Sequence, residues 1–421
     1  MNRSRGAGST QTRRRRVPRG RLLALITAGL VDSLILSMAW TVVMLRVTRE
    51  HGLVAAGLCG TAMLVGVALS APFAGALSRR LEGRRLLRLA ATVEALLRLS
   101  VLGLLYGHAP LVLLGVAIAA MNVVAWTGYA GMRAEVAAVS RGAVGITWYG
   151  STVMSVEAVG MALGALLPLS GAHTAVGLWV LMATVYVLGL LPTVVVAGGS
   201  TVPREAARPA VTRRRLRFVG PGLRRLSAPV VVGSLLMLVA SAPPQLAVAL
   251  ADQLHGQSSV AFAAVSFTAG ALLSPVLAGR LQATGHNRPA TWVAVAAGIV
   301  VGWSLAPLSV VCLCVAQLSS GLCMTALEGL IDSYAAARRP GAVTATLART
   351  TAGRALGSAG GAAAFPALVL TFGLSATTAT LAAGLLVTAV VVHVAVRSRR
   401  RPGPRAGAAE PADRLDAAPV A

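Results

Sequence analysis

The stretch LLALITAGLVDSLILSMAWTVVML, residues 22–45, decides the fold class of this chain. It exceeds the roughly 20 apolar residues that a helix needs to cross a bilayer, and Asp32 is its only charged side chain. The whole 421-residue chain has the same character, because 56% of its residues are hydrophobic and only 12% are charged. A soluble protein carries about 25% charged residues, so this composition predicts a membrane protein and excludes a disordered chain.

Eleven further runs of similar character follow the first. The twelve predicted spans cover residues 22–45, 53–77, 87–107, 110–132, 146–169, 174–196, 228–251, 258–281, 290–308, 310–334, 344–369 and 373–396. A polar, proline-containing stretch at 197–227 separates six spans from six others. We therefore predict an all-α membrane protein with twelve transmembrane helices in two six-helix bundles, at 22–196 and 228–397. Residues 1–21 and 398–421 are predicted to be disordered tails, and 197–227 a basic cytoplasmic loop.

The arginines predict the orientation in the membrane. The net charge is +25 and all 38 basic residues are arginine. If the N-terminus is cytoplasmic, 33 arginines fall on the cytoplasmic side and only Arg46 and Arg49 on the other, which agrees with the positive-inside rule. This pattern favours contact with lipid headgroups over nucleic-acid binding, and it predicts that both termini are cytoplasmic.

The two halves contain traces of a repeat. Leu69-Ser70 and Ala74-Gly75 recur 204 residues later, at equivalent places in the second helix of each half. Ala137-Ala138 recurs 199 residues later, where the fourth helix of each half turns into the fifth. Two parallel repeats predict a binding site near the bilayer midplane, between the halves.

The sequence lacks the motifs of several kinds of chemistry. There is no phosphate-binding Gly-x-x-x-x-Gly-Lys loop, and the six histidines and four cysteines lack metal-ligand spacing. No histidine has an evident nucleophile partner. We therefore predict a protein that is not an enzyme and that uses no cofactor and no metal.

The stretch between the second and third spans resembles the signature loop of the major facilitator superfamily of secondary transporters. Gly75, Arg80, Gly83 and Arg84 match that motif, whose usual acid is replaced by Arg79, with Glu82 as a stand-in. The resemblance covers about residues 20–397 and also rests on the 6+6 arrangement and the basic central loop. It implies a fold that works by alternating access. It also implies an inner gate that includes these loop residues, Glu82 and, at the cytoplasmic end of the fourth helix, Arg133.

The match to the drug-proton antiporters of this superfamily is partial. Their fifth-helix motif appears as Gly160-x-x-x-Gly164 without the adjacent proline, and the fourth helix has no arginine at its centre. The superfamily is therefore better supported by the sequence than the exporter subtype.

Two acids lie deep in helices that face the central cavity in this superfamily. Asp32 is about 15 Å into the first span, and Glu157 is near the middle of the fifth. Buried charge in a membrane is costly, and acids placed there often exchange protons or pair with a cation. We predict that Asp32 and Glu157 couple transport to protons, with a structural, protonated acid as the alternative.

Two further groups of charges fall within spans. Glu94 and Arg98, one helical turn apart, predict a structural ion pair. Glu328 and Asp332, also one turn apart, are predicted to form the rest of the inner gate with Arg349 and Arg354, with substrate contact as the alternative. The neutral candidates for the substrate cavity are Asn122, Trp126, Gln245, Gln317 and Met324, for which ordinary helix packing is the alternative. Pro243-Pro244, just before Gln245, is predicted to break the helix of the seventh span.

These observations predict a plasma-membrane secondary transporter. We expect a monomer, embedded in the lipid bilayer, that exports a small amphipathic or cationic organic compound in exchange for protons. An importer or uniporter of a polar nutrient on the same fold is the first alternative. The others are an integral membrane enzyme acting on lipid intermediates and the membrane partner of a separate ATPase.

Overall fold

The computed structural model describes residues 19–139, 143–167, 172–200, 202, 228–338 and 343–399. Within these ranges all regular secondary structure is helical. Most of the predicted tails and of the predicted central loop lies outside the described residues, so the domain boundaries drawn there remain predictions. Residues 19–21 and 398–399, predicted to be disordered, instead belong to the ends of α1 and α14.

The described residues form fourteen α-helices. Their bounds are α1 Arg19–Ser78, α2 Gly83–Tyr106, α3 Leu111–Val139, α4 Ala143–Leu166, α5 Ala172–Leu188, α6 Leu191–Ala197, α7 Ala228–Ala240, α8 Ala242–Gln245, α9 Ala247–His255, α10 Gln257–Ala283, α11 Pro289–Val300, α12 Val310–Arg338, α13 Val343–Phe372 and α14 Leu374–Arg399. Nine segments of the described chain are long and apolar enough to span a membrane. The first two predicted spans lie in one of these segments, and the fifth and seventh correspond to the shorter apolar helices Ser155–Leu166 and Ala228–Ala240, so twelve spans are consistent with this architecture.

Glycine and proline account for these interruptions. The first two predicted spans form the single element α1, which bends sharply at Gly52, where φ is 79°. That left-handed conformation carries little cost for glycine because it has no Cβ. The predicted break in the seventh span at Pro243-Pro244 is confirmed, because the chain there divides into α7, α8 and α9. The sixth span divides in a similar way into α5 and α6, next to Pro192.

The helix crossings confirm the internal repeat. Gly66 lies against the carbonyl of Ala119, and Gly270, 204 residues later, lies against the carbonyl of Leu318. The predicted Gly160-x-x-x-Gly164 motif packs on the backbone of α1 at Leu34 and Met38. Gly357 and Gly361 pack in the same way on α7, at the carbonyls of Ser234 and Leu238. Small residues allow such close backbone approach in membrane bundles, and the two halves use them at matching positions.

Within the described residues, the largest core shared by the two halves lies at one end of the bundle. We call the end that carries Arg19 and Arg399 the terminal face, and the end that carries the bend at Gly52 the opposite face. One apolar core near the opposite face contains residues of both halves, including Val43, Leu246 and Phe365. Further from that face each half has a core of its own, and a small cluster of Leu64, Ala359 and Ala362 joins the halves. From the separate cores we infer a space between the halves towards the terminal face, which we call the central gap.

Candidate functional site

A buried arginine in the N-terminal half holds two carboxylates. Arg98 on α2 donates a 2.6 Å hydrogen bond to Asp32 on α1. It also contacts Glu94 one turn earlier, through a 3.0 Å bond from Nε and a shorter contact from Nη2. The predicted Glu94–Arg98 pair is therefore present, and it extends to Asp32. Two carboxylates share one guanidinium, so the group has a net charge of −1 when all three residues are ionised.

The three members of this group differ in their access to water. The side chain of Arg98 is 0% exposed and that of Glu94 is 4% exposed, whereas Asp32 is 27% exposed. The carbonyl oxygen of Tyr186 accepts a further 3.4 Å bond from Arg98, and the guanidinium lies 5.2 Å from the Tyr186 ring centroid. A cavity of about 20 Å³ lies beside the two carboxylates. Asp32 thus has the most exposed side chain of the three, and a proton or a cation can reach it more readily than Glu94 or Arg98.

Aromatic rings lie next to these acids. Tyr129 stacks on Tyr149 with centroids 5.8 Å apart, and Trp126 meets Tyr129 edge-on at 5.4 Å. Glu157 has an exposed side chain and interacts electrostatically with both tyrosines, and Asp32 interacts with Tyr149. The structure therefore brings both predicted proton-coupling acids to the same aromatic cluster, which the sequence did not predict.

A second buried arginine organises the C-terminal half. Arg354 on α13 donates bonds of 2.6 Å and 3.2 Å to the two carboxylate oxygens of Asp332 on α12. Thr350 donates a third bond to Asp332, at 2.7 Å, and Glu328 lies 3.6 Å from Nε of Arg354. Arg349, the other predicted member, has an exposed side chain. This network joins two helices of one half, so movement of one half against the other does not by itself break it.

The other predicted cavity residues occupy different environments. Asn122 and Gln317 are buried, and Asn122 donates a hydrogen bond back to the carbonyl of Ile118. Trp126 is well exposed, whereas Gln245 in α8 and Met324 in α12 are half-buried. In this conformation Trp126 is therefore the member of the set with the greatest access to solvent.

The signature loop is fixed to its own half by an acid that we did not predict. The backbone N–H of Gly83 donates a 3.2 Å bond to Val202, and Glu135 on α3 binds Arg21 at 3.1 Å and also Ser200. The predicted gate residues nearby are exposed at Arg80, Glu82, Arg84 and Arg133 and half-buried at Gly75. Glu82 lies at the N-terminus of α2 without a side-chain capping bond. Glu135 therefore lies beside this loop, which contains the predicted Glu82.

A charged network joins the two halves at the opposite face. Arg49 in α1 binds Asp252 in α9 through two bonds, of 2.6 Å and 3.0 Å. Gln257, the first residue of α10, accepts a 3.1 Å bond from Arg49 and donates two 2.6 Å bonds to the carbonyls of Ala165 and Leu167. A single glutamine thus bonds to the bend of α1 and to the end of α4.

These contacts were not predicted, although one signal was present. Arg49 and Asp252 are both charged residues near the ends of spans on the same predicted side, so pairing opposite charges on that side would have suggested them. Gln257 and Glu135 gave no comparable signal, because their partners are backbone groups or lie far away in the sequence.

Comparisons with known proteins agree with this architecture. A family model described as "Major Facilitator Superfamily" matches residues 22–353, which is most of the chain. No curated protein sequence matches the chain significantly. Among solved structures, the nucleoside transporter NupG has a TM-score of 0.59 and 11% identity, and the match covers 91% of this chain and 100% of that one.

Two further solved structures show the same fold. A POT family transporter in complex with a thioalcohol-conjugated peptide has a TM-score of 0.66 at 12% identity, over 91% of this chain and 97% of that one. A D-xylose-proton symporter has a TM-score of 0.63 at 14% identity, over 88% and 95%. At such low identities these structures support the fold alone. Together with the family match, they show that this chain is a multi-pass membrane transporter that belongs to the Major Facilitator Superfamily.

Proposed function

We propose that this protein is a proton-coupled antiporter that exports a small amphipathic organic cation from the cytoplasm. The observation that carries the proposal is the 2.6 Å pair between the buried Arg98 and the partly exposed Asp32, with Glu94 as a second carboxylate on the same guanidinium. Because one cation serves two anions, the group can accept a proton at Asp32 while Arg98 remains paired with Glu94.

The aromatic cluster supports a cationic substrate. Trp126 and Tyr129 offer π faces and edges, and Asp32 and Glu157 add negative charge beside them. An organic cation gains both cation–π and ion-pair interactions in such an environment. Arg133 lies 5.8 Å from the Tyr129 ring centroid, so the ring already contacts one cation of the protein itself. Binding of a cation and binding of a proton at Asp32 then compete, which is the requirement for exchange.

The proposed orientation is compatible with export. The arginine distribution favours cytoplasmic termini, which places the open end of the central gap on the cytoplasmic side. In this conformation the site would receive substrate from the cytoplasm. Reorganisation of the halves about the midplane would then release it on the other side. We further propose that the loop at Gly75, Arg80, Glu82, Gly83 and Arg84 contributes to the gate on the terminal face.

The test is transport of ethidium, a planar organic cation, into proteoliposomes that hold an imposed pH gradient. We expect ethidium to accumulate against its own gradient and to stop accumulating when a protonophore dissipates the pH gradient. Asp32→Asn is expected to abolish this proton-driven flux, and Glu50→Gln, which changes an acid at the opposite face, is the matched control.

Two results would contradict the proposal. Full proton-driven flux in Asp32→Asn at normal insertion would exclude Asp32 as the coupling group. Transport that equilibrates ethidium but never concentrates it would identify a uniporter instead.

A further inference from the structure

The C-terminal half contains a carboxylate, Glu328, that lies near an arginine without accepting a hydrogen bond from it. Asp332 accepts three hydrogen bonds, two from Arg354 and one from Thr350. Glu328, one turn earlier on α12, has only a 3.6 Å approach to Nε of Arg354, which is too long for a hydrogen bond. Asp332 is thus the fixed counter-ion of Arg354, and Glu328 is a second acid beside the same cation.

The surroundings of Arg354 indicate that Glu328 can exchange a proton. Its side chain is 8% exposed, and its buried Nε–H has no hydrogen-bond acceptor. A buried charged donor without an acceptor is costly, and Glu328 is the carboxylate that lies nearest to it. A small movement of Glu328 would close the gap and satisfy Nε. Glu328 therefore lies slightly away from the position, within hydrogen-bond distance of Nε, where its ionised carboxylate would be most stable.

Glu328 also has access to water. Its side chain is 39% exposed, whereas Leu327 and Ile331 beside it on α12 are fully buried in the core of the C-terminal half. It lies ten residues before Arg338, hence about 15 Å from the terminal end of α12. Asp32, thirteen residues after Arg19, lies about 20 Å from the same face. An ionisable group at this depth faces a water-filled space far more readily than lipid, so Glu328 faces the central gap.

We propose that Glu328 is a second proton-exchange site of the transporter, located in the C-terminal half. This inference rests on the proposed function for its role in transport. A proton from water in the central gap binds Oε1 of the Glu328 carboxylate and gives the neutral acid. When the acid loses that proton to water, Oε1 becomes free to accept the bond from Nε of Arg354. The pairing of Arg354 with Asp332 stays intact in both states.

Few charged groups surround Glu328. The groups that act on it electrostatically are Arg354 and Asp332. Of the elements packed against α12, the helices α7, α8 and α11 and the 3-10 turns Val301–Ser304 and Ala306–Leu308 contain no charged or histidine residue. The only such residue of α10 is Arg280, and those of α13 are Arg349 and Arg354. One cation thus lies between two carboxylates, as at Arg98, and one proton neutralises the group.

This arrangement predicts two exchangeable protons per cycle, one from each half. With the membrane potential clamped at zero, an exchange of two protons for one substrate concentrates ethidium about 100-fold per unit of pH gradient, and one proton concentrates it about tenfold. Glu328→Gln is expected to reduce the accumulation ratio from the first value to the second. Asp32→Asn is expected to abolish coupling altogether, because Asp32 is the site where the proton and the substrate are proposed to compete.

A second measurement tests Glu328 without any substrate. Infrared difference spectra of the protein in lipid, recorded between acidic and alkaline pH, report the carbonyl stretch of protonated carboxylic acids. We expect Glu328→Gln to remove one component of this band, Glu328→Asp to restore a shifted one, and Glu50→Gln, which changes an acid at the opposite face, to leave that component. Gln preserves the size of the side chain, and Glu328 makes no short hydrogen bond, so the variant should fold.

The outcomes separate this inference from the proposed function. An unchanged band in Glu328→Gln, or loss of the same component in Glu50→Gln, would overturn the assignment of the site. If the band responds as expected but ethidium transport ignores the pH gradient, Glu328 exchanges protons and the proposed antiport fails.

Discussion

Gln257 is predicted to hold the opposite face closed. Its side chain makes three hydrogen bonds across the interface, two to the carbonyls of Ala165 and Leu167 and one with Arg49. A neutral hydrogen bond contributes about 0.5–1.5 kcal/mol net, and the bond with Arg49 adds little because that side chain is 39% exposed. Gln257→Ala should therefore favour opening of this face by about 1–3 kcal/mol. At about 1.4 kcal/mol per factor of ten, the open population should rise about 5- to 150-fold.

The native thiol of Cys59 provides the assay. Cys59 is buried in the core that both halves share, two residues from Gly57, which packs against Ala362 of the other half. In a variant that lacks the other three cysteines, its rate of reaction with a maleimide should be proportional to the population that is open at the opposite face. We expect Gln257→Ala to raise this rate by the factor given above.

A matched control distinguishes the cross-interface role from a general loss of stability. Gln282 donates its amide to Ser333 within the C-terminal half, at 3.0 Å, so Gln282→Ala removes a glutamine hydrogen bond without touching the interface. We expect its Cys59 rate to stay within about twofold of the unmodified protein, since surface changes usually cost no more than about 0.5 kcal/mol. Equal rates in Gln257→Ala and Gln282→Ala, with both variants folded, would refute the reasoning.

Three further changes test the packing and the buried charges. Arg98→Leu leaves Glu94 buried without its cation and should cost about 3–5 kcal/mol, visible as a lower melting temperature in detergent; an unchanged melting temperature would show that the pair is not formed. Gly357→Leu should lower the free energy of unfolding by about 1–3 kcal/mol, because a Cβ there meets the backbone of Ser234. Gly103→Leu, where a Cβ meets nothing within 4 Å, is the control and should lower it far less. Glu135→Ala should speed hydrogen exchange at the amide of Val202, which donates a 3.3 Å bond to that carboxylate, and equal exchange would contradict the contact.

Much of the fold could be predicted from local sequence. Apolar runs of about 20 residues can satisfy their backbone groups in a bilayer only as helices, so the runs gave both the element type and the approximate bounds. The Pro243-Pro244 break and the positions related by 204 and 199 residues also followed from the sequence, because proline removes a backbone donor and a repeat preserves spacing. The acids Asp32, Glu94, Glu157, Glu328 and Asp332 were recognisable individually, since a charge inside such a run is costly and therefore noticeable.

The partners of those acids depended on the tertiary structure. The pairing of Asp32 with Arg98 joins residues 66 positions apart, and the assignment of Arg354 to Asp332 instead of Glu328 rests on differences of about an ångström. Such choices depend on the rotation and crossing of helices, which apolar periodicity leaves undetermined when a helix is hydrophobic on every side. The sequence alone established a helical bundle in a membrane with acids at its middle. Packing between distant helices then determined which acid faces the central gap, which arginine neutralises it, and at which end the two halves are in contact.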